Sequence, residues 1–211
     1  YEYDENNRLI ACYTSVIETD NNDSPLWEKD GTNEYYLHGP LARMEVGQQR
    51  VQGMDYAYTL QGWMKGVNGS LLDEGRDMGR DGRSATNAAK DAVSFVLGYY
   101  ENDYEQIQGT SFELDYVGTD FGTASPSLYN GNIRNMTVSI QQLIPDANVN
   151  LPTQGYTYSY DQLHRLKSMT PWTKINANTY QWNPQASPFE TRSYAVSNIG
   201  YDGNGNIFTL D

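Results

Sequence analysis

An all-β chain folded as successive antiparallel hairpins is what this sequence predicts, and three observations carry the prediction. A Tyr-x-Tyr-Asp motif recurs along the 211 residues, and turn formers are dense, with 19 Gly and 8 Pro. Tyrosine, present 18 times, is the main packing residue, while amphipathic helical periodicity is scarce. Internal repeats decide architecture before any single element does. Tyrosine suits strands whose ring is covered while the hydroxyl reaches water or a partner.

The two best copies of the motif are Tyr1-Glu2-Tyr3-Asp4, followed by Arg8-Leu9, and Tyr158-Ser159-Tyr160-Asp161, followed by Arg165-Leu166. A third, Tyr56-Ala57-Tyr58-Thr59, replaces Asp with Thr and Arg with Trp63. The fourth, Tyr201-Asp202-Gly203-Asn204-Gly205-Asn206-Ile207, keeps one tyrosine, the Asp and the turn. Tyr-x-Tyr places two rings on one face of a strand, because side chains alternate with period two. A short carboxylate at the reversal can accept hydrogen bonds from the next backbone N–H groups, and the tip calls for residues that tolerate positive φ. Each copy is therefore a β-hairpin. Tyr3, Tyr58 and Tyr158 are expected at equivalent strand positions, with rings against neighbouring strands. Asp4 and Asp161 are expected to cap turns and not to act as catalytic acids. Arg8 and Arg165 are expected to lie over a tyrosine ring or to reach a carboxylate or carbonyl, with Trp63 covering a ring in the third copy.

Taken in order, Tyr1 to Thr14 reads as the first hairpin, and Ser15 to Pro25 leads into a polar turn. Trp27 to Leu37 reads as a strand, an Asp30-Gly31 turn and a second strand. Leu41 to Val46 reads as a half-buried strand, followed by a turn at Gly47 to Arg50. Residues 71–89, rich in glycine and in both charge signs, read as a surface insertion. One short helix is expected near 87–94, capped by Thr86 or Asn87. Strands resume at Phe95 to Leu97 and Met136 to Ile140, with an Asn130-Gly131 hairpin between them. Trp172, Tyr180, Trp182 and Phe189 mark aromatic strands near the end.

Charge and composition exclude several classes. With 27 acidic against 14 basic residues, the formal charge of −13 argues strongly against a nucleic-acid binder, which needs a basic face. No apolar run is long enough for a membrane-spanning helix. The single cysteine, Cys12, excludes an internal disulfide and reads as a buried strand thiol. The chain opens inside a motif and without Met, and is read as an excerpt of a larger polypeptide. His38 and His164, the two histidines, have no partnering nucleophile motif. The run Asp202 to Asn206 opens like a calcium loop, but Ile207 stands where that loop needs glycine, so a turn is expected. Asp73, Glu74, Asp77 and Asp81 are interleaved with Arg76, Arg80 and Arg83, which predicts a solvated, self-neutralised loop and no metal site. Asn22, Asn68 and Asn135 fit the glycosylation pattern. No cofactor and no catalytic residue is expected.

The pattern Y-x-Y-D-x-x-[GN]-R-[LI] resembles the tyrosine-aspartate (YD) repeat of the RHS family, which includes bacterial RHS proteins, Tc-toxin cages and teneurins. Gly39-Pro40-Leu41-Ala42-Arg43-Met44-Glu45-Val46-Gly47 and Asp55 to Asn68 look like the variant common in Bacteroidetes-type members. The resemblance implies a ribbon of hairpins forming part of a spiralling β-shell, with 1–211 as a single segment. It implies a non-catalytic structural role in a large secreted or cell-surface bacterial protein whose shell encloses or presents a toxin. The implied partners are the remaining parts of the shell, with an encapsulated C-terminal toxin or a secretion-system component. The family's self-cleavage motif has no counterpart, since the chain holds no Asp-Pro. The alternative expectation is a carbohydrate- or protein-binding surface module, with Trp63, Trp172 and Trp182 stacking on glycans.

Overall fold

The computed structural model describes residues 1–19, 25–73, 75–82, 87–106, 111–113, 125–141, 153–172, 182 and 195–210. Tyr180, Phe189, Glu74, Arg83, Thr86 and Asn22 lie outside them. The fold is all-β, and among the described residues none is helical. Among the described residues ten strands form one sheet in sequence order: β1 (Glu2–Tyr3), β2 (Leu9–Thr19), β3 (Pro25–Tyr35), β4 (Leu41–Val46), β5 (Gln52–Tyr58), β6 (Met64–Val67), β7 (Val93–Gly98), β8 (Asn135–Ile140), β9 (Thr153–Tyr160) and β10 (Leu166–Trp172). A separate hairpin joins β11 (Gly200–Tyr201) to β12 (Ile207–Thr209). Every pairing is antiparallel, as expected for strands joined by reversals.

Three local expectations are corrected. Asp30-Gly31 is no turn: β3 runs through it, and the register slips there, with Cys12 opposite Gly31 and Tyr13 opposite Lys29. Asp30 is accommodated as a bulge, its carboxylate accepting from Thr14 Oγ1 at 2.9 Å and its carbonyl from Gly47 N at 2.7 Å. Cys12, on β2, is half-buried and not fully enclosed. The helix near 87–94 does not form, because its backbone groups find partners elsewhere. Ala89 N donates to Arg50 O, Ala88 O accepts from Gly82 N, and the Gln52 amide binds both Ala92 N and Asp91 Oδ1. Val93 already opens β7.

The strands do not pair along their whole length. The first half of β5 pairs with β4 (Gln52 with Val46, Asp55 with Arg43) and its second half with β6 (Tyr56 with Val67, Tyr58 with Met64). Asn68 splints the offset from an αL backbone (φ 64°). Its Oδ1 accepts from Asp55 N at 2.8 Å, and its Nδ2 donates to Val93 O at 2.9 Å. Asn68 and Asn135 are each 1% exposed, so neither can accept a glycan in the folded chain.

The two faces of the sheet differ in side-chain size. One carries the row Ala57, Gly66, Val96, Thr137 and Gly155, all directly paired. Small residues let the connecting segments lie close. Phe112 packs on Ala57 and Val96, with Met78 and Tyr104 beside it, and the buried Trp182 covers Gly155. A β-carbon at Gly155 would come within 2.7 Å of that indole. The opposite face carries the larger rows Tyr56, Val67, Phe95, Val138 and Leu97, Met136, Tyr156, mostly half-buried. The described residues of the stretch 71–89, expected as a surface insertion, take part in the cover: Leu71, Asp81 and Ala88 are buried.

Candidate functional site

The four motif copies share one turn. Asp4 Oδ1 accepts from Asn6 N at 2.9 Å and Arg8 N at 2.8 Å, while Oδ2 takes Arg8 Nε at 2.6 Å. Asp161 repeats this with Leu163 N at 2.8 Å, Arg165 N at 3.0 Å and Arg165 Nε at 2.7 Å. Asp202 repeats it with Asn204 N, Asn206 N and Asn206 Nδ2, which settles that run as a capped turn. Thr59 Oγ1 keeps one bond, from Trp63 N at 3.2 Å. The third residue after the cap has positive φ in all four: Asn7 at 60°, Gly62 at 81°, His164 at 61° and Gly205 at 87°. His164 therefore occupies a turn position, in contact with Asn130 Nδ2 at 2.8 Å, and His38 stacks on Tyr36. The carboxyls of Asp4, Asp161 and Asp202 are held below the usual carboxylate range. For Asp4 and Asp161 the main cause is the backbone N–H of the following arginine; for Asp202 it is the Asn206 side chain.

Beyond each turn lies a clasp. Arg8 Cζ stands 4.6 Å from the ring centre of Tyr35, whose hydroxyl donates to Leu9 O at 2.9 Å. Arg165 Cζ stands 4.4 Å from that of Tyr201, whose hydroxyl donates to Leu166 O at 2.6 Å. In the degenerate copy Trp63 takes the place of arginine, with its ring centre 5.0 Å from that of Tyr99, whose hydroxyl donates to Met64 O at 2.7 Å. Three times, then, the residue after the turn covers a tyrosine from a later segment, and that tyrosine binds the next carbonyl. Tyr35 and Tyr99 were not singled out from the sequence. The hydroxyl bond spans 26, 35 and 35 residues, so no fixed spacing announces it.

The motif tyrosines divide by position. Tyr58 meets Tyr36 edge-on at 6.4 Å, and Tyr36 donates to Tyr56 O. Tyr158 lies against Met136. The register equivalent of Tyr3 and Tyr58 is Tyr160 and not, as expected, Tyr158; it pairs with Leu166 as they pair with Leu9 and Met64, and donates to Ile133 O at 2.8 Å. Tyr1 and Tyr3 are 78% and 56% exposed, because β1 is an edge strand with β2 as its sheet neighbour. The tryptophans named for ligand stacking are occupied by the sheet. A β-carbon at Gly131 would sit 3.2 Å from the Trp63 ring, Trp172 Nε1 donates to Thr157 Oγ1, and Trp182 is buried over Gly155. The exposed tryptophan is Trp27 on β3.

Two ionic centres lie under the connecting segments. Arg43 on β4 binds Glu45 through Nε, Asp55 of β5 through Nη1, and both oxygens of Asp81 through Nη2 at 2.8 and 2.9 Å. The Asp81 partnership replaces the expected self-neutralised loop. Gly53 and Gly79 leave room for it, since a β-carbon at either would collide with the guanidinium or its partners. Acid is in excess here: burial raises Asp55 to about 6 against the pull of Arg43. Burial, together with Asp77, Asp81 and Asp55, raises Asp91 to about 8. Among the described residues, no group of three or more acidic, histidine or cysteine side chains is arranged to hold a metal ion.

The second centre is Lys65 of β6, whose side chain is 2% exposed. Its Nζ lies 2.6 Å from Asp103 Oδ1 and 2.6 Å from Glu113 Oε1. The far oxygen of Asp103 accepts from Tyr99 N at 2.7 Å and Tyr100 N at 3.4 Å. Burial raises the Glu113 carboxyl, against the pull of Lys65. Lysine is almost never so enclosed unless paired, and neither centre was legible as a pairing in the sequence. No protein-family model matches the chain, and no curated protein matches it.

Proposed function

We propose that this chain is a wall segment of a YD-repeat shell, a non-catalytic structural part of a large secreted or cell-surface bacterial protein that encloses or presents a toxin. The observation that carries this reading is the clasp, made three times: a guanidinium or an indole against a tyrosine ring, and that tyrosine's hydroxyl on the next strand carbonyl. A hairpin cannot bury its aromatic face alone, and a clasp between successive units lets a ribbon extend by repetition. A fold built around a catalytic or ligand pocket would have no need to repeat one interlock along its length. The packing of Trp63, Trp172 and Trp182 against the sheet favours the wall over a glycan-stacking surface. Electron microscopy of the full-length protein tests the proposal: a hollow particle with these strands in its wall is expected, and a particle without a cavity refutes it. Saturable glycan binding lost on Trp27→Ala would favour the surface module instead.

A further inference from the structure

We propose that Lys65 and Asp103 become joined by an amide bond between Lys65 Nζ and Asp103 Cγ, formed by the protein itself with Glu113 as the proton carrier. This modification is independent of the wall role. A buried lysine paired with one carboxylate needs no such explanation. Here the same nitrogen touches two carboxylates, each at 2.6 Å, and the second is surplus to neutralising it. Asp103 is also held in a reactive pose: Oδ1 faces the amine, while Oδ2 receives the Tyr99 and Tyr100 backbone N–H groups. Those donors stand where negative charge develops if nitrogen adds to Cγ, which is the arrangement that stabilises an oxyanion.

The chemistry balances without a co-reactant. A proton passes from the Lys65 ammonium to the Asp103 carboxylate, leaving a neutral amine against a neutral carboxylic acid. The amine lone pair adds to Cγ, and the N–Cγ bond forms. Glu113, in contact with the same Nζ, takes the second proton from nitrogen and delivers it to the departing Oδ1. The Cγ–Oδ1 bond breaks, and Oδ1 leaves with both protons as water. Nothing is oxidised or reduced. Fixed proximity replaces an encounter between amine and acid, so the entropic part of the barrier to condensation is met in advance. The side chains of Lys65 and Asp103 are 2% and 4% exposed, so water is kept from the reverse reaction. The bond would span 38 residues and pin the segment after β7 to β6. Tyr104, next to Asp103, packs on Phe112 with ring centres 5.1 Å apart, so the link would anchor that part of the cover over Ala57 and Val96.

Mass spectrometry of the full, denatured chain decides. The expected result is a mass lower than the sequence by one water, with proteolysis yielding a branched peptide that joins the segments of Lys65 and Asp103. Glu113→Gln should show the full mass while keeping the wild-type circular dichroism. A folded wild-type chain that retains its full mass after prolonged incubation overturns the proposal. So does a water loss reversed by hydroxylamine, or one mapped to a succinimide at an Asp-Gly step such as Asp81-Gly82. Glu113→Gln that loses water as fast as wild type removes Glu113 from the mechanism.

Discussion

The clasp makes Arg165→Lys and Tyr201→Phe unequal to ordinary surface changes. Arg165 holds Asp161 Oδ2 through both Nε and Nη2 at 2.7 Å while its plane covers Tyr201 at 4.4 Å. A lysine ammonium is a point charge and cannot do both at once. Loss of the stacking alone should cost about 0.5–1 kcal/mol at such a partly exposed site. Tyr201→Phe keeps the ring and removes the hydroxyl bond to Leu166 O, worth about 0.5–1.5 kcal/mol. In a chain of this size each variant should lower Tm by roughly 2–4 °C per kcal/mol lost. The two contacts share one ring, so the double variant should lose less than the sum of the singles by about 0.5 kcal/mol or more. Salt should change the stacking little, since the groups lie well inside a Debye length of about 8 Å at physiological ionic strength. Thermal melts of the four proteins at low and high salt measure all of this. Neutral single variants, or additive losses with strong salt dependence, would refute the clasp as a unit.

At the turn, Asp161→Asn should melt close to wild type, since its amide oxygen still accepts from Leu163 N and Arg165 N, whereas Asp161→Ala should melt lower; equal losses would count against capping. Gly155→Ala forces a β-carbon against Trp182 and should cost about 1–3 kcal/mol by chemical denaturation, with an unchanged midpoint refuting the close cover. Asp91, raised in the folded state, contributes stability that is complete below the unfolded value of 3.8 and lost as pH rises through about 8. Wild-type Tm should therefore fall between mildly acid and alkaline pH by more than that of Asp91→Asn, whose amide keeps a donor permanently in place of the proton; parallel pH profiles would show that Asp91 holds no proton there.

How much was legible in the sequence follows from the range of each interaction. The turn is local: Asp161, His164 and Arg165 interact within four residues, so the motif itself carries the geometry. The stacking of Arg8, Trp63 and Arg165 on tyrosine was also legible, because a planar group after a tight turn has few places to lie. Which tyrosine it meets was not, since Tyr35 and Tyr99 are brought in by strand lengths that the sequence does not print. The ionic centres were harder still. Arg43 looked like half of an alternating strand and Asp81 like a loop charge, and their pairing across 38 residues depends on Gly53 and Gly79 leaving room for the guanidinium. The helix near 87–94 failed for a related reason. Local propensity favoured it, but the Gln52 side chain and the Arg50 carbonyl offered its backbone long-range partners.

The degenerate third copy shows what the motif is under pressure to keep. Thr59 retains one of the three bonds that Asp4 and Asp161 make, and Trp63 cannot form the ion pair at all. Yet the turn backbone is the same, with Gly62 in the positive-φ position, Thr59 N bound to Trp63 O, and Tyr99 delivering its hydroxyl to Met64 O. The tyrosine hydroxyl and its carbonyl are therefore the constant part, and the charged residue is one of several ways to cover the ring. A flat guanidinium and an indole both present a face that shields the tyrosine while leaving its hydroxyl free to reach the backbone. The same contact is thus made with different letters of the motif within this one chain. The repeat is consequently easier to recognise in the hydrogen bonds from tyrosine to the strand carbonyls than in the Tyr-x-Tyr-Asp pattern from which it was first read.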